Sequence, residues 1–229
     1  MVDHMQNHIS TINDMEALRL RASHQTLKCF KAYDVRGVIG ETIDKHASHR
    51  IGYAAGIVMK AKFAIVGYDA RATSSKFANS IALGLNEAGV DVIEIGLCGT
   101  EEVYAATVEF GADVGLMVTA SHNPINYNGI KIIGPLARPL EVDSEFSKIA
   151  SRAREPLPIA PHKSKLGKRR SASMEARAIY LEKLIEIVKP NNLPAIRVGV
   201  DCGHGAVGPT LMALSIKLKS RGSKIEIIA

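Results

Sequence analysis

Between Phe63 and Val118 the chain repeats one unit: a short apolar run, then an amphipathic stretch that ends at glycine. Phe63-Ala64-Ile65-Val66-Gly67 reads as a buried strand, and Ser74 to Ala88 as a helix with Phe77, Ile81 and Leu85 on one stripe, stopped by Gly89. Val90 to Ile95 is the next strand, and Thr100 to Phe110 the next helix, stopped by Gly111. Thr100 is expected to cap that helix, with Glu101 and Glu102 in its first turn. Val114 to Val118 is a third strand. Strands alternating with helices predict an α/β fold, a mixed, mainly parallel sheet between helices. In such sheets chemistry sits beyond the carboxyl ends of the strands.

The rest of the chain is organised around this unit. Lys28 to Gly37 reads as a strand or loop entering a turn, and residues 44–59 as a helix. After Ile133 the pattern weakens. Residues 152–170 carry Pro156, Pro158 and Pro161, then Lys163, Lys165, Lys168, Arg169 and Arg170 with no acid between them. A helix over Met174–Lys189, a strand over Ile196–Val200, a Gly-rich turn over Asp201–Pro209, a further helix and a strand at Ile225–Ile228 follow. The expected organisation is a disordered leader over 1–26, an α/β domain over 27–160, a basic linker over 161–171 and the beginning of a second, similar α/β domain over 172–229. The 229 residues leave room for one large domain or one domain and part of another.

With 46% hydrophobic and 23% charged residues, the chain is neither wholly disordered nor fibrous. The net charge of +6 suits anionic partners: phosphorylated metabolites, nucleic acid or a membrane surface. Nucleic acid is set aside, because no aromatics interleave the basic run for base stacking. A membrane span is set aside too, because no apolar stretch reaches the roughly 18 residues it needs. Cys29, Cys98 and Cys202 are few, odd in number and widely spaced, which fits a reducing, cytoplasmic setting. The sequence says nothing about oligomeric state.

The densest chemistry follows the third strand: Thr119-Ala120-Ser121-His122-Asn123-Pro124, then Tyr127-Asn128-Gly129-Ile130-Lys131. Ser121 is displayed in a tight turn at a strand's carboxyl end, beside His122 and ten residues before Lys131. A serine hydroxyl needs a base or a cation to act as a nucleophile. It can also hold a phosphoryl group, provided donors and cations surround its oxygens. A serine hydrolase does not fit. There is no G-x-S-x-G elbow, no triad acid suggests itself, and a histidine adjacent to its serine is not expected to fold back as its base. Arg36, in Tyr33-Asp34-Val35-Arg36-Gly37, and Arg71, in Asp69-Ala70-Arg71-Ala72-Thr73-Ser74, join Lys131 as a candidate phosphate-handling rim.

These residues resemble a known family, the α-D-phosphohexomutases. Thr119 to Pro124, extended through Asn128 to Lys131, looks like its active-site serine loop. Phe30 to Gly37 looks like its F-x-A-Y-D-[IV]-R-G segment and Asp69 to Ser74 like its D-x-R-x-[ST]-S turn. Asp201 to Gly208 looks like its D-C-G-N-G-x-x-G turn, with His204 where asparagine is usual. The resemblance covers residues 27 to 229. The Gly99-Thr100-Glu101-Glu102 form is similar to that of the bacterial phosphomannomutases of GDP-mannose and surface-polysaccharide synthesis. The resemblance implies a mutase that interconverts mannose 6-phosphate and mannose 1-phosphate through a phosphoserine and a bisphosphate. Ser121 would carry the phosphate and touch Mg²⁺ through it. Arg36 and Lys131 would neutralise the transferring group or serve as acid and base, and His122 would orient the phosphoserine or the sugar hydroxyl. Tyr33, Arg71 and Asn123 would contact substrate or phosphate. A hexose bisphosphate would be the activator. Phosphoglucomutase, phosphoglucosamine mutase and a non-catalytic sugar-phosphate binder are the alternatives.

The family's D-G-D-[GF]-D-R metal loop does not occur here: of the nine Asp, no two are two positions apart. The G-E-M-S sugar-recognition string is also missing. The expectation is therefore an amino-terminal piece of such an enzyme, poorly active by itself.

Overall fold

A computed structural model describes residues 27–158 and 166–228. The expected leader over 1–26 and most of the basic linker's first half lie outside the described residues. In chain order the elements are β1 (Val35–Val38), α1 (Lys45–Val58), β2 (Phe63–Tyr68), α2 (Ser74–Glu87), β3 (Asp91–Leu97), α3 (Thr100–Glu109) and β4 (Val114–Val118). There follow β5 (Tyr127–Ile133), α4 (Ser147–Arg154), β6 (Arg169–Ser171), α5 (Ser173–Val188), β7 (Ile196–Gly199), α6 (Gly208–Ser220) and β8 (Ile225–Ile228).

Six strands form one sheet in the order β1-β5-β4-β2-β3-β6. The pairs β4–β2, β2–β3 and β3–β6 are parallel, while β5 runs antiparallel to both β4 and β1. The sheet is thus mixed and mainly parallel. Because side chains alternate along each strand, it buries two apolar layers. Ala64, Val66, Val92, Leu116, Val118 and Ile130 pack under α1, α2 and α4. Ile65, Ile93, Ile95, Met117 and Ile133 pack on the other side with Val103 and Ala106 of α3 and Ala176 of α5. Right-handed crossovers put α2 and α3 on opposite faces, since β2→β3 and β3→β4 run in opposite directions across the sheet.

Asp44 caps α1, its carboxylate accepting from the Ala47 N–H at 2.7 Å. The next pairing is unusually close. A Cβ at Gly84 of α2 would lie 2.1 Å from the His49 carbonyl oxygen of α1, so only glycine lets the two backbones meet. Beside this contact His49 Nε2 lies 3.0 Å from Glu87 Oε2, both side chains buried.

Three sequence expectations change. The α3 cap is Gly99, whose N–H donates to Glu102 Oε1 at 3.1 Å, and Thr100 is the first helical residue. Tyr127 to Lys131, read as a continuation of the serine loop, belongs to strand β5. Arg169–Ser171, placed in the linker, is an edge strand tied down by Arg169, which bonds Glu94 and Asn79. Ala172 and Ala176, at the start of α5, are buried in the α3-side layer of the first sheet. Beyond α5, β7 and β8 form a parallel pair connected by α6. Among the described residues, no helix is long and apolar enough to cross a membrane.

Candidate active site

β4 is apolar to Val118, and the chain must then turn back to start β5 at Tyr127. The turn is built from its own polar groups. Ser121 takes a left-handed φ of +53°, and its N–H donates to Thr119 Oγ1 at 2.9 Å. The Asn123 backbone and side-chain N–H groups both donate to the Ala120 carbonyl, at 3.0 and 3.1 Å. A left-handed serine costs about 1 kcal/mol, so its surroundings must hold it in place.

Arg71 does most of the holding. Its Nη1 donates to the Pro124 and Tyr127 carbonyls at 2.8 and 3.1 Å. Its Nη2 donates to the Ser121 and Asn123 carbonyls at 2.9 and 2.6 Å. Nε lies 3.5 Å from Asp69 Oδ2. A guanidinium has five N–H donors, and these contacts occupy all three nitrogens. Arg71, expected to contact phosphate, here directs its donors to the loop backbone and Asp69. Asn123, expected likewise to contact substrate or phosphate, uses its backbone and side-chain N–H groups to shape the turn.

A buried polar network backs the clamp. Asp69 Oδ1 accepts from the Arg71 N–H at 3.0 Å and from Ser74 Oγ at 2.5 Å. Asn128, fully buried, donates to Thr73 Oγ1 and Ser74 Oγ and accepts from the Gly129 N–H. The turn after β2 is thereby fastened to the start of β5. Sequence reasoning missed Thr119, Ser74 and Asn128, although all three sit inside the two motifs that drew attention.

Ser121 and His122 are exposed. Ser121 Oγ lies 3.3 Å from His122 Nδ1, with the donor set by the tautomer. The adjacent histidine does fold back, against expectation, because the left-handed serine turns the chain sharply between the two side chains. Arg36 and Lys131 arrive through strand register. Arg36 of β1 faces Gly129 of β5, beside Thr119, and Lys131 lies two residues further along the same face, opposite Met117. Gly129 must lack a side chain, since a Cβ there would lie 2.2 Å from the Val35 carbonyl oxygen. Arg36 pairs with Asp34 at 2.7 Å, and its buried Nε has no partner among the described residues. Lys131, half-buried, forms no ion pair with a described residue. Tyr33 is 78% exposed on the loop before β1.

Cys98, just past β3 at the same end of the sheet, is no nucleophile. Burial, reinforced by the Glu102 charge, pushes its thiol up to about 12. Among the described residues, no cluster of three or more His, Cys, Asp or Glu is placed to hold a metal ion.

A family profile described as phosphoglucomutase/phosphomannomutase, alpha/beta/alpha domain I, matches residues 27–156. A phosphomannomutase of Salmonella typhimurium is 40% identical over 203 residues, which is 88% of this chain and 44% of that protein. A phosphomannomutase of Klebsiella pneumoniae is 47% identical over 129 residues, 56% of this chain and 82% of that protein. The crystal structure of a phosphoglucomutase/phosphomannomutase family protein from Burkholderia thailandensis superposes with a TM-score of 0.68 at 27% identity, covering 90% of this chain and 44% of that one. The chain spans less than half the length of the first of these relatives.

Proposed function

The chain belongs to the phosphoglucomutase/phosphomannomutase family, and from that premise we propose that Ser121 is its phosphoryl carrier in a phosphomannomutase reaction. The carrying observation is a single one. The serine is solvent-facing yet held in a costly turn by Arg71, at the carboxyl end of a parallel strand. Phosphoryl transfer asks mainly for positioning and charge.

The reaction needs two transfers. The bond between phosphorus and Ser121 Oγ breaks, a hydroxyl oxygen of the hexose monophosphate takes the phosphoryl group, and the displaced proton passes to Oγ through an acid–base group. Lys131 suits that task, and Arg36 neutralises the phosphoryl oxygens. His122, within 3.3 Å of Oγ, orients the phosphoserine. The bisphosphate reorients and returns its other phosphoryl group to Ser121, so that phosphate moves between positions 6 and 1. Tyr33, exposed at the rim, offers a surface for the sugar. The product feeds GDP-mannose and polysaccharide synthesis, in a cytoplasmic setting.

The family's expected Mg²⁺ does not fit this chain's residues alone. Mg²⁺ takes oxygen ligands in near-octahedral geometry, and Asp69, the carboxylate fastened to the serine loop, is committed to Arg71 and Ser74. No step is assigned to the ion.

The test is intact mass after incubation with a hexose bisphosphate. One added phosphoryl group is expected, absent from Ser121→Ala. Uptake by the alanine variant would move the carrier elsewhere.

A further inference from the structure

Glu102 is an acid with an unusual address. It sits in the first turn of α3, where a carboxylate commonly caps the helix and meets water, yet it is only 3% exposed. Its Oε1 accepts from the Gly99 N–H at 3.1 Å, the local cap. The same oxygen accepts from Thr210 Oγ1 at 2.7 Å, across 108 residues of sequence. Thr210 is buried in the first turn of α6. Arg177 of α5 completes the group. Its Nε lies 3.4 Å from Glu102 Oε2 and donates to Thr210 Oγ1 at 3.2 Å, and its Nη2 donates to the Leu97 carbonyl at the end of β3 at 2.7 Å. One carboxylate thus joins the first sheet, α5 and the unit formed by β7, α6 and β8. Tyr180 of α5 senses the same spot: burial, then the charges of Glu101 and Glu102, raise its phenol.

The location matters. α3 starts at the carboxyl end of β3, and Ser121 follows the carboxyl end of the parallel strand β4. Only β2 separates β3 from β4, so the two strand ends lie roughly 10 Å apart at about 4.8 Å per strand. α6 is entered directly from the Asp201–Gly208 turn, in which Gly203 and His204 are both left-handed. The turn is short, so fixing the first turn of α6 also fixes the turn.

We propose that Glu102 is a positioning residue, whose carboxylate pins the first turn of α6, and with it the Asp201–Gly208 turn, to the strand-end rim on which Ser121 stands. The charged, buried acceptor makes the pin directional. Thr210 donates to it, because a carboxylate only accepts and the threonine's oxygen in turn accepts from Arg177 Nε. That the pinned turn serves phosphoryl transfer rests on the carrier role of Ser121; the pin itself does not.

Hydrogen exchange of the full chain tests this, read by mass spectrometry over residues 208–214. Thr210→Val keeps the shape and removes the hydroxyl, and is expected to speed exchange there about fivefold to tenfold. Peptides from α1 and α2 should be unchanged. Thr210→Ser restores the donor and is expected to return exchange to the wild-type rate. Glu102→Ala should speed the same peptide, and adding Thr210→Val to it should speed it no further. Wild-type exchange in Thr210→Val, or a rise in Thr210→Ser equal to that in Thr210→Val, overturns the pin. Those two variants decide the matter even if Glu102→Ala does not fold. Phosphoryl loading of the wild-type chain separates the two proposals. A chain that never loads fails as a carrier while the exchange result stands.

Discussion

Arg71 stands two residues past Asp69, and that spacing decides its task. The carboxylate accepts from the Arg71 backbone N–H and turns the side chain toward the serine loop, where four carbonyls converge. A lysine would carry the same charge but only three donors from one point, and could not span four carbonyls. Arg71→Lys is therefore expected to cost about 2 kcal/mol in urea unfolding, the size of losing charge-assisted hydrogen bonds. It should also slow Ser121 loading. A loss under about 0.5 kcal/mol, usual for surface substitutions, would show that water replaces the guanidinium. The same residue-scale logic explains His204, where the family usually has asparagine. Its φ is +58°, and asparagine, aspartate and histidine are the non-glycine residues that best tolerate the left-handed region. The departure from the family pattern keeps the backbone requirement.

Among the elements, the α1–α2 pair gives the sharpest test. Gly84 lets the helices touch backbone to backbone, and the buried His49–Glu87 pair lies in the same interface. Gly84→Ala would ordinarily stabilise a helix by up to about 1 kcal/mol. Here the methyl must push the helices apart, so a net loss of about 1–3 kcal/mol is expected, read as a lower urea midpoint. A stabilised variant would mean that the helices separate freely. The elements also show what the sequence discloses. β2, α2, β3, α3 and β4 were readable to within about two residues, because each buries a continuous run or one stripe. β5 was hidden because its polar start, Tyr127-Asn128-Gly129, continues the serine motif, although Ile130 to Ile133 carries a strand's apolar content. β6 was hidden because an edge strand of three exposed residues has no apolar signal, only cross-strand partners such as Glu94. At the site, residue type and the end of β4 pointed to Ser121 and His122, and residue type alone to Arg36 and Lys131, which lie within β1 and β5. The task of Arg71 was not, because a guanidinium that binds phosphate and one that binds carbonyls look alike in sequence.

At the scale of the whole molecule, the two sheets differ in how far they sustain themselves. The first buries an apolar layer on each face. The second is a two-stranded parallel pair whose β7 residues are all exposed, beside an apolar cleft of about 230 Å³ lined by Leu184, Val188, Val198, Leu211, Leu218 and Ile227. Two strands alone are marginal in water, so this unit leans on the first through α5 and the Glu102–Thr210 contact. α5 belongs energetically to the first sheet, since Ala172 and Ala176 fill its layer and Leu181 is buried as well. Two shortened chains make the point measurable. Residues 1–192, which keep α5, should unfold in urea with nearly the full chain's first-sheet stability. Residues 1–158 lose β6 and α5, and with them at least about 3 kcal/mol from the exposed layer, counting roughly 0.8 kcal/mol per alanine methyl and about 2 for the leucine. They should also bind an apolar dye at the bared α3 face. Equal stability of the two would put the boundary before residue 172, where composition first suggested it. The expected difference puts it after α5, so that the helix joining the two sheets is part of the platform that holds Ser121.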